Sequence, residues 1–191
     1  MRLFPKSLKR AKILPIFKNK NKLDITIYRP ISILPVISKV HEKVFYNRLY
    51  NYLSVNNLLS SQFGFRSGAS TEHVLLKFSD DIIKLFDQKK VAITTFMDLS
   101  KAFDCVDHNI LLSKLKRYRI HETELQWINS YLSDREQLVA WNQTHSPLLN
   151  LNIGVPQGSI LGPLLFLICV NDIVNSSNIL SFVLFADLTR N

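Results

Sequence analysis

Cysteine, glycine and long apolar runs are all scarce in this chain of 191 residues. Its two cysteines, Cys105 and Cys169, have no Cys-x-x-Cys spacing and lie among apolar neighbours. We therefore expect reduced core thiols of an intracellular protein, nuclear or cytoplasmic and not secreted, rather than a disulfide bridge or a nucleophile. Five glycines exclude a collagen-like or low-complexity chain, and 47% apolar residues indicate one globular domain that can bury a sizeable core.

No apolar run is long enough to cross a membrane. The runs at 163–170 and 179–186 have eight residues each and are separated by a polar stretch, whereas a spanning helix needs roughly 20 apolar residues. The basic amino terminus faintly resembles a transit peptide, but its Lys-Asn-Lys-Asn-Lys run is too polar for one. We expect neither membrane insertion nor organelle targeting.

Acidic residues are almost absent from the first quarter of the chain. Residues 1–48 hold 12 lysines and arginines against Asp24 and Glu42, and the remaining residues hold 12 against 13 acids. A concentrated positive field of this kind attracts polyanions, such as nucleic acid or nucleotide phosphate. A solvated, solubilising face is the alternative interpretation, and charge alone does not decide between the two.

The apolar pattern predicts an α+β chain without internal repeats. Helices are expected at 2–12, 38–55, after the caps Ser70 and Asp107, at 123–132, and from the turn after Gly154 through Ile173. Strands are expected at 13–17, 25–33, 91–99, 136–141, 148–153 and 179–186. The first two strands would form a hairpin with a basic tip.

Two of the predicted strands end in a carboxylate, Asp98 and Asp187. An acid at the end of an apolar strand costs desolvation energy unless it is exposed, paired or bound to metal. If the two strands are neighbours, both carboxylates reach the same pair of divalent ions, as two-metal phosphoryl transfer requires. A turn or capping role for each aspartate taken singly is the alternative. His41 and Glu42 lack the second histidine of a zinc protease, and the other histidines show no ligand spacing.

Five motifs in order carry a resemblance to a known family. They are YRPIS at 28–32, QFGFRSGAST at 62–71, FMDLSKAFD at 96–104, GVPQGSILGP at 154–163 and FAD at 185–187. Together they resemble the fingers and palm motifs of reverse transcriptases from non-LTR, LINE-like retrotransposons. The resemblance implies a right-hand polymerase fold with an antiparallel palm sheet packed on helices, in one partial domain with mainly fingers at 1–90 and mainly palm at 91–191.

The resemblance also implies an activity and its cofactor. The activity is RNA-directed DNA synthesis, a nucleotidyl transfer from a dNTP to a DNA primer on an RNA template, and no specific protein partner is indicated. Asp98 and Asp187 would be catalytic and would ligate two Mg²⁺ ions, with the Leu99 carbonyl assisting and Mn²⁺ as a substitute. Hard cations of this kind take oxygen ligands and share their coordination with substrate phosphates.

Further residues take substrate-binding roles by the same resemblance. Arg29, with Lys18 or Lys20, would clamp the incoming triphosphate, a task that suits a forked guanidinium and a mobile ammonium. Phe103 would be an aromatic gate against the ribose 2′-OH, with simple core packing as the alternative, and Gln157 would line the nucleotide pocket. Nucleic acid would be held by two further cations, Lys22 and Arg66.

The sequence departs from the family pattern at Leu188, where a second aspartate is usual. The family's later palm strands, primer grip and thumb have no counterpart in these 191 residues, so we expect a truncated copy that does not extend primers at a useful rate. A non-catalytic remnant that only binds nucleic acid is the alternative function. A purely structural module without any nucleic-acid partner is a third.

Overall fold

The computed structural model describes residues 3–17, 23–59, 62–65, 68, 70–99 and 101–185. Its strands are β1 (Arg10–Phe17), β2 (Tyr28–Ile33), β3 (Arg135–Trp141), β4 (Thr144–His145) and β5 (Leu149–Leu151). Its α-helices are α1 (Val36–Val55), α2 (Thr71–Asp87), α3 (His108–Arg117), α4 (Glu122–Leu132) and α5 (Gly162–Val170). Short 3-10 turns lie at Lys6–Leu8, Ile25–Ile27, Ala102–Cys105 and Asn171–Ser176. The predicted α+β class is confirmed at this coarse level.

The strands form one mixed sheet in the order β2-β1-β3-β4, with β5 pairing with β3 on the same sheet. β1 pairs antiparallel with β2, as the sequence predicted for the hairpin, and parallel with β3. β3 and β5 form the second antiparallel pair expected from the sequence. The parallel pairing of β1 with β3 was not foreseen, because nothing local in either strand encodes a partner more than 120 residues away.

Helices α1, α3, α4 and α5 enclose the main apolar core. α5 is apolar on every side, and six of its nine residues are buried, which is typical of a central helix. Leu53, Leu111, Ile128 and Leu132 meet in this core with no exposed surface. Asp107 caps α3 by accepting hydrogen bonds from the Asn109 and Ile110 amides, and Ser70 caps α2; both caps were predicted.

Three sequence-based expectations about helices and thiols need correction. The segment predicted as a basic helix at 2–12 contains a 3-10 turn followed by the start of β1. The helical spacing of apolar residues at 38–55 predicts Val40 and Val44 on the apolar face of α1 together with Leu49 and Leu53, but both valines are more than half exposed, and Ser38 and Glu42 are buried beside Leu49 and Leu53. Cys105 is exposed rather than in the core. Cys169 is half buried and free, and burial raises the pKa of its thiol to about 11.

The strand predicted at 91–99 is wrong, and the one at 179–186 is not formed in its described part. Residues 91–99 have no regular secondary structure, and Ile93 is 92% exposed. In the second segment a single parallel bridge joins Leu184 to Gln62. Apolar, β-branched composition favours a strand only when a neighbouring strand takes up the backbone hydrogen bonds. No such neighbour lies beside 91–99 among the described residues, so the predicted palm sheet is not formed there.

None of the helices in the described part of the chain is long and apolar enough to span a membrane.

Candidate nucleotide site

The turn at 154–162 packs directly against the 3-10 turn Ala102–Cys105. The Gly154 amide donates to the Val106 carbonyl at 2.8 Å, and the Val155 amide donates to the Phe103 carbonyl at 2.8 Å. Gly154 has a φ of +86°, and a Cβ there would lie 2.9 Å from backbone atoms of Phe103 and Asp104. Only glycine permits this approach, so two of the predicted motifs are locked together at this point.

His108 supports the same contact from α3. Its Nε2 lies 2.8 Å from the Gly154 carbonyl oxygen. The sequence pattern shows no ligand spacing around this histidine and predicts surface exposure or helix capping for it. The motif that contains Gly154 is 46 residues further along the chain, so spacing alone could not have revealed the contact.

The centre of the turn is fixed to β2. The Ser32 amide donates to the Gln157 carbonyl at 2.6 Å, and a Cβ on Gly158 would lie 2.8 Å from the Ser32 carbonyl oxygen. Arg29 lies in the same strand, half buried and paired in register with Ile16 of β1. The structure therefore joins the element that carries Arg29 to the turn that carries Gln157.

The Gln157 side chain bridges from the turn to Asp104. Its Nε2 donates to the Asp104 Oδ1 at a long 3.5 Å. Burial raises the pKa of the Asp104 carboxyl, and the hydrogen bond from Gln157 and the charge of Lys101 partly oppose the shift. The sequence assigned no role to Asp104, although it ends the same motif as Asp98. A half-buried carboxylate at this junction can accept a hydrogen bond from a hydroxyl or an amide group of a substrate.

Phe103 joins two motifs and helix α5 through its ring. The ring centroid lies 6.4 Å from that of Phe65 in an edge-on contact and 5.3 Å from that of Phe166 on α5. Phe103 is half buried, so part of the ring packs on the core and part remains accessible. The core-packing role is therefore present, and the gate role stays a prediction.

Asp98 and Leu99 lie in the irregular segment at 91–99, and both residues are exposed. Asp98 makes no hydrogen bond or ion pair to any other described residue. The segment contacts α2 through Phe96, whose ring centroid lies 5.8 Å from that of Phe78. An exposed carboxylate with no partner among the described residues and an adjacent backbone carbonyl are oxygen donors that suit Mg²⁺.

The remaining predicted residues lie outside the described part of the chain. These are Asp187, Lys18, Lys20, Lys22 and Arg66. Among the described residues, no group of three His, Cys, Asp or Glu side chains is placed to hold a metal ion. The metal site formed by Asp98 and Asp187 therefore stays a prediction.

The described residues just before Asp187 nevertheless make a backbone contact to another motif. The Phe63 amide donates to the Leu184 carbonyl at 3.0 Å, three residues before Asp187 in sequence. This bond joins the start of the motif at 62–71 to the residue that precedes the last motif. The Phe65–Phe103 contact and the bonds of the turn at 154–162 connect the other four motifs to one another.

One cavity of the described structure lies away from these motifs. It has a volume of about 400 Å³ and is lined by residues of α3 and of the 3-10 turn Asn171–Ser176, among them Lys114, Arg117 and Asp172. Lys114 forms an ion pair with Asp172 across its wall. None of the predicted site residues lines it.

Comparison with known proteins defines the class of this chain. The profile of the family described as "Reverse transcriptase (RNA-dependent DNA polymerase)" matches residues 17–188. The match covers almost the whole chain, and it includes all five motifs. The chain belongs to the reverse transcriptase family.

Individual relatives agree with this assignment. The chain is 37% identical over 175 residues to the "Probable RNA-directed DNA polymerase from transposon BS" of Drosophila melanogaster, covering 91% of the chain and 19% of that protein. It is 35% identical over 171 residues to the "RNA-directed DNA polymerase from mobile element jockey" of the same fly, covering 88% of the chain and 19% of that protein. The chain thus spans about a fifth of the length of these relatives. The resemblance to non-LTR retrotransposon reverse transcriptases is confirmed.

Proposed function

We propose that this chain supplies the nucleotide-binding and primer-extending part of an RNA-directed DNA polymerase, with fingers in 1–90 and palm in 91–191. The observation that carries the proposal is the junction of β2, the turn at 154–162 and the 3-10 turn Ala102–Cys105. Gln157 contacts both neighbours there, through its carbonyl to Ser32 and through its side chain to Asp104. A nucleotide needs groups from separate motifs to converge in this way.

In the proposed site, Asp98 and Asp187 hold divalent metal, assisted by the Leu99 carbonyl. The metal would activate the primer 3′-OH and neutralise charge on the transferred phosphate. Arg29 and the lysines Lys18 and Lys20 bind the triphosphate, Gln157 lines the base and sugar pocket, and Phe103 excludes the 2′-OH. Leu188 stands where the family has a carboxylate, so fewer oxygens hold the metal and we propose that catalysis is impaired.

Template and primer are proposed to bind along the basic first quarter of the chain. In its described part, α1 exposes Lys39, Lys43 and Arg48, and Lys22 and Arg66 would add to this surface. Phosphate contacts by such cations release counterions, so affinity should fall steeply as salt rises.

The proposal is tested by primer extension on an RNA template with dNTPs and Mg²⁺. We expect only traces of product from the unmodified chain. When the chain is continued with the C-terminal remainder of the transposon BS relative, Leu188→Asp should raise incorporation on the order of 10- to 100-fold, the usual effect of a change at a metal site. Asp98→Asn should abolish it.

Binding measurements separate the polymerase from the non-catalytic alternative. Salt-dependent binding of primer and template, with no incorporation by the continued Leu188→Asp chain, would leave only a nucleic-acid-binding function. Exposed Asp80→Asn on α2 is a matched control, since it removes a carboxylate that pairs with Lys84 and has no role in the proposed site. Equal loss of product in Asp80→Asn and Asp98→Asn would contradict the catalytic role of Asp98.

A further inference from the structure

Glu42 is a fully buried carboxylate in the middle of α1. Its side chain has no exposed surface, although glutamate is among the residues least often buried in folded proteins. Oε1 accepts a hydrogen bond from the Ser38 hydroxyl at 2.9 Å, one helical turn earlier. A buried carboxylate is costly unless hydrogen bonds and a compensating charge satisfy it, so its other contacts explain why it is there.

The second oxygen of Glu42 binds the backbone of the turn at 154–162. Oε2 accepts from the Ile160 amide at 2.7 Å and lies 3.4 Å from the Leu161 nitrogen. These amides immediately precede α5, whose N-cap residue Leu161 offers no side-chain hydrogen bond. A carboxylate at this position supplies the missing acceptor and interacts favourably with the positive end of the helix.

Within the turn, Ser159 continues the same network. Its hydroxyl donates to the Pro156 carbonyl at 2.8 Å and accepts from the Gly162 amide at 3.0 Å. The buried ends of the turn are therefore fixed by Glu42 on one side and by the contacts of Gly154 on the other. Gln157 lies between these two anchors.

A buried cation lies in the same core. Arg135 is 1% exposed and donates from Nη1 to the Tyr131 carbonyl at 3.0 Å. Its guanidinium carbon lies 4.8 Å from the centre of the Tyr131 ring. Burial lowers the pKa of Arg135, and the nearby negative charge of Glu42 is among the influences that oppose this shift. The two charges thus compensate each other, in part, without an ion pair in direct contact.

We propose that Glu42 is a positioning residue for nucleotide binding, because it holds the turn that places Gln157 beside Asp104 and Ser32. The inference rests on the proposed function, since it concerns the same nucleotide site. Glu42 acts through the backbone of Ile160 and Leu161, and it does not touch the nucleotide itself.

The test compares three variants of the full chain, Glu42→Ala, Glu42→Gln and Leu49→Ala. Glutamine keeps one oxygen for the backbone amides and an NH₂ group for Ser38, so it preserves the geometry without the charge. Leu49 is buried in the same helix and has no bond to the turn, so its truncation controls for general loss of stability. All three should lower the melting temperature.

Only Glu42→Ala should change the turn. We expect amide hydrogen exchange at Ile160 and Leu161 to speed up about tenfold or more, as the loss of one good hydrogen bond allows. Calorimetric titration with dTTP and Mg²⁺ should show affinity weakened by about tenfold in Glu42→Ala, since a small displacement of a binding group is costly. Glu42→Gln and Leu49→Ala should stay within about twofold of the unmodified chain.

Each contrary result points to a different error. Equal weakening of dTTP binding by Leu49→Ala and Glu42→Ala would overturn the positioning role, as would unchanged binding in Glu42→Ala. An unmodified chain that binds no dTTP would overturn the proposed function and the positioning role with it, even if the exchange pattern were as expected. If Glu42→Ala does not fold, Ser38→Ala replaces it as the test variant. The positioning role then requires faster amide hydrogen exchange at Ile160 and Leu161, by a smaller factor than expected for Glu42→Ala.

Discussion

The helices of this chain fall into two regions that differ sharply in packing. In the first, α1, α3, α4 and α5 share a core in which Leu53, Leu111 and Leu132 are completely buried. In the second, α2 has 17 residues and not one that is buried, and the segment at 91–99 beside it is exposed along most of its length. Both regions contain good helix-forming sequence, so local propensity alone does not decide which elements are packed.

The two halves of the proposed site lie in these two different regions. The turn that carries Gln157 is built into the packed region and is bonded on both sides. Asp98 lies in the exposed region, where Phe96 and Phe78 provide an aromatic contact to α2. The proposed nucleotide-positioning group Gln157 thus lies in a turn that is held from both sides, whereas the proposed metal ligand Asp98 lies in an exposed segment of irregular structure.

The largest expected effect is on stability in the packed region. Leu111→Ala leaves a cavity in the main core and should lower the free energy of unfolding by about 2 to 5 kcal/mol. Leu75→Ala in α2 is the matched change at a side chain that is 63% exposed, and it should cost no more than about 0.5 kcal/mol. Urea denaturation of both variants measures the difference. Similar losses in free energy of unfolding would mean that α2 is packed in solution as tightly as the helices of the main core.

The next effect concerns the junction at Gly154. Gly154→Ala forces a left-handed residue to carry a Cβ that meets backbone atoms at 2.9 Å. Gly68→Ala has a similar φ of +80°, but no atom of the described residues lies within 4 Å of the new Cβ. It should therefore lose only the conformational cost of about 1 to 2 kcal/mol in the free energy of unfolding. We expect Gly154→Ala to lower the free energy of unfolding by roughly 1 to 3 kcal/mol more than Gly68→Ala does, which is the usual penalty for overpacking.

Thermal unfolding of the two glycine variants provides the measurement. A further check is hydrogen exchange at the Val155 amide, which donates to Phe103 and should lose protection only in Gly154→Ala. Equal stability of the two variants would show that the turn moves freely away from the 3-10 turn, and would remove the support for the candidate site.

The smallest effect is on pH dependence, through Asp104. Burial raises the pKa of its carboxyl above the ordinary 3.8, so the folded chain holds this proton more tightly than the unfolded chain does. The contribution of Asp104 to the free energy of unfolding therefore falls as the pH rises from 3.8 through the folded-state pKa, and the destabilisation is fully present above that pKa. Asp104→Asn keeps an acceptor for Gln157 and should remove this dependence of stability on pH.

Denaturation of the chain and of Asp104→Asn across the acidic range measures the slope directly. Exposed Asp80→Asn is the control, and we expect it to leave the contribution of Asp104 in place. A stability difference between the chain and Asp104→Asn that does not change with pH would mean that Asp104 is solvated, and that the contact with Gln157 does not persist.

Much of the local structure was predictable. The hairpin of β1 and β2, helices α1 to α4 and the caps Asp107 and Ser70 follow from short-range patterns that the structure confirms. The predictions failed where the structure of a segment depends on which other segment of the chain packs against it or hydrogen-bonds to it. Residues 91–99 have strand composition, but they have no described neighbour to bond. Val40 and Val44 look like core residues, yet the side chains that α1 buries are Ser38, Glu42, Leu49 and Leu53.

The sequence by itself determined the family, because five ordered motifs are a long-range signal that needs no coordinates, and it determined most helices, because capping and apolar spacing are local. Tertiary structure alone decided which side of α1 is buried and therefore why Glu42 lies in the core. It also decided the parallel pairing of β1 with β3, and the meeting of Gln157 with Asp104 across 53 residues. These contacts depend on how separate elements dock, and docking is set by the shapes of packed surfaces that no short stretch of sequence contains.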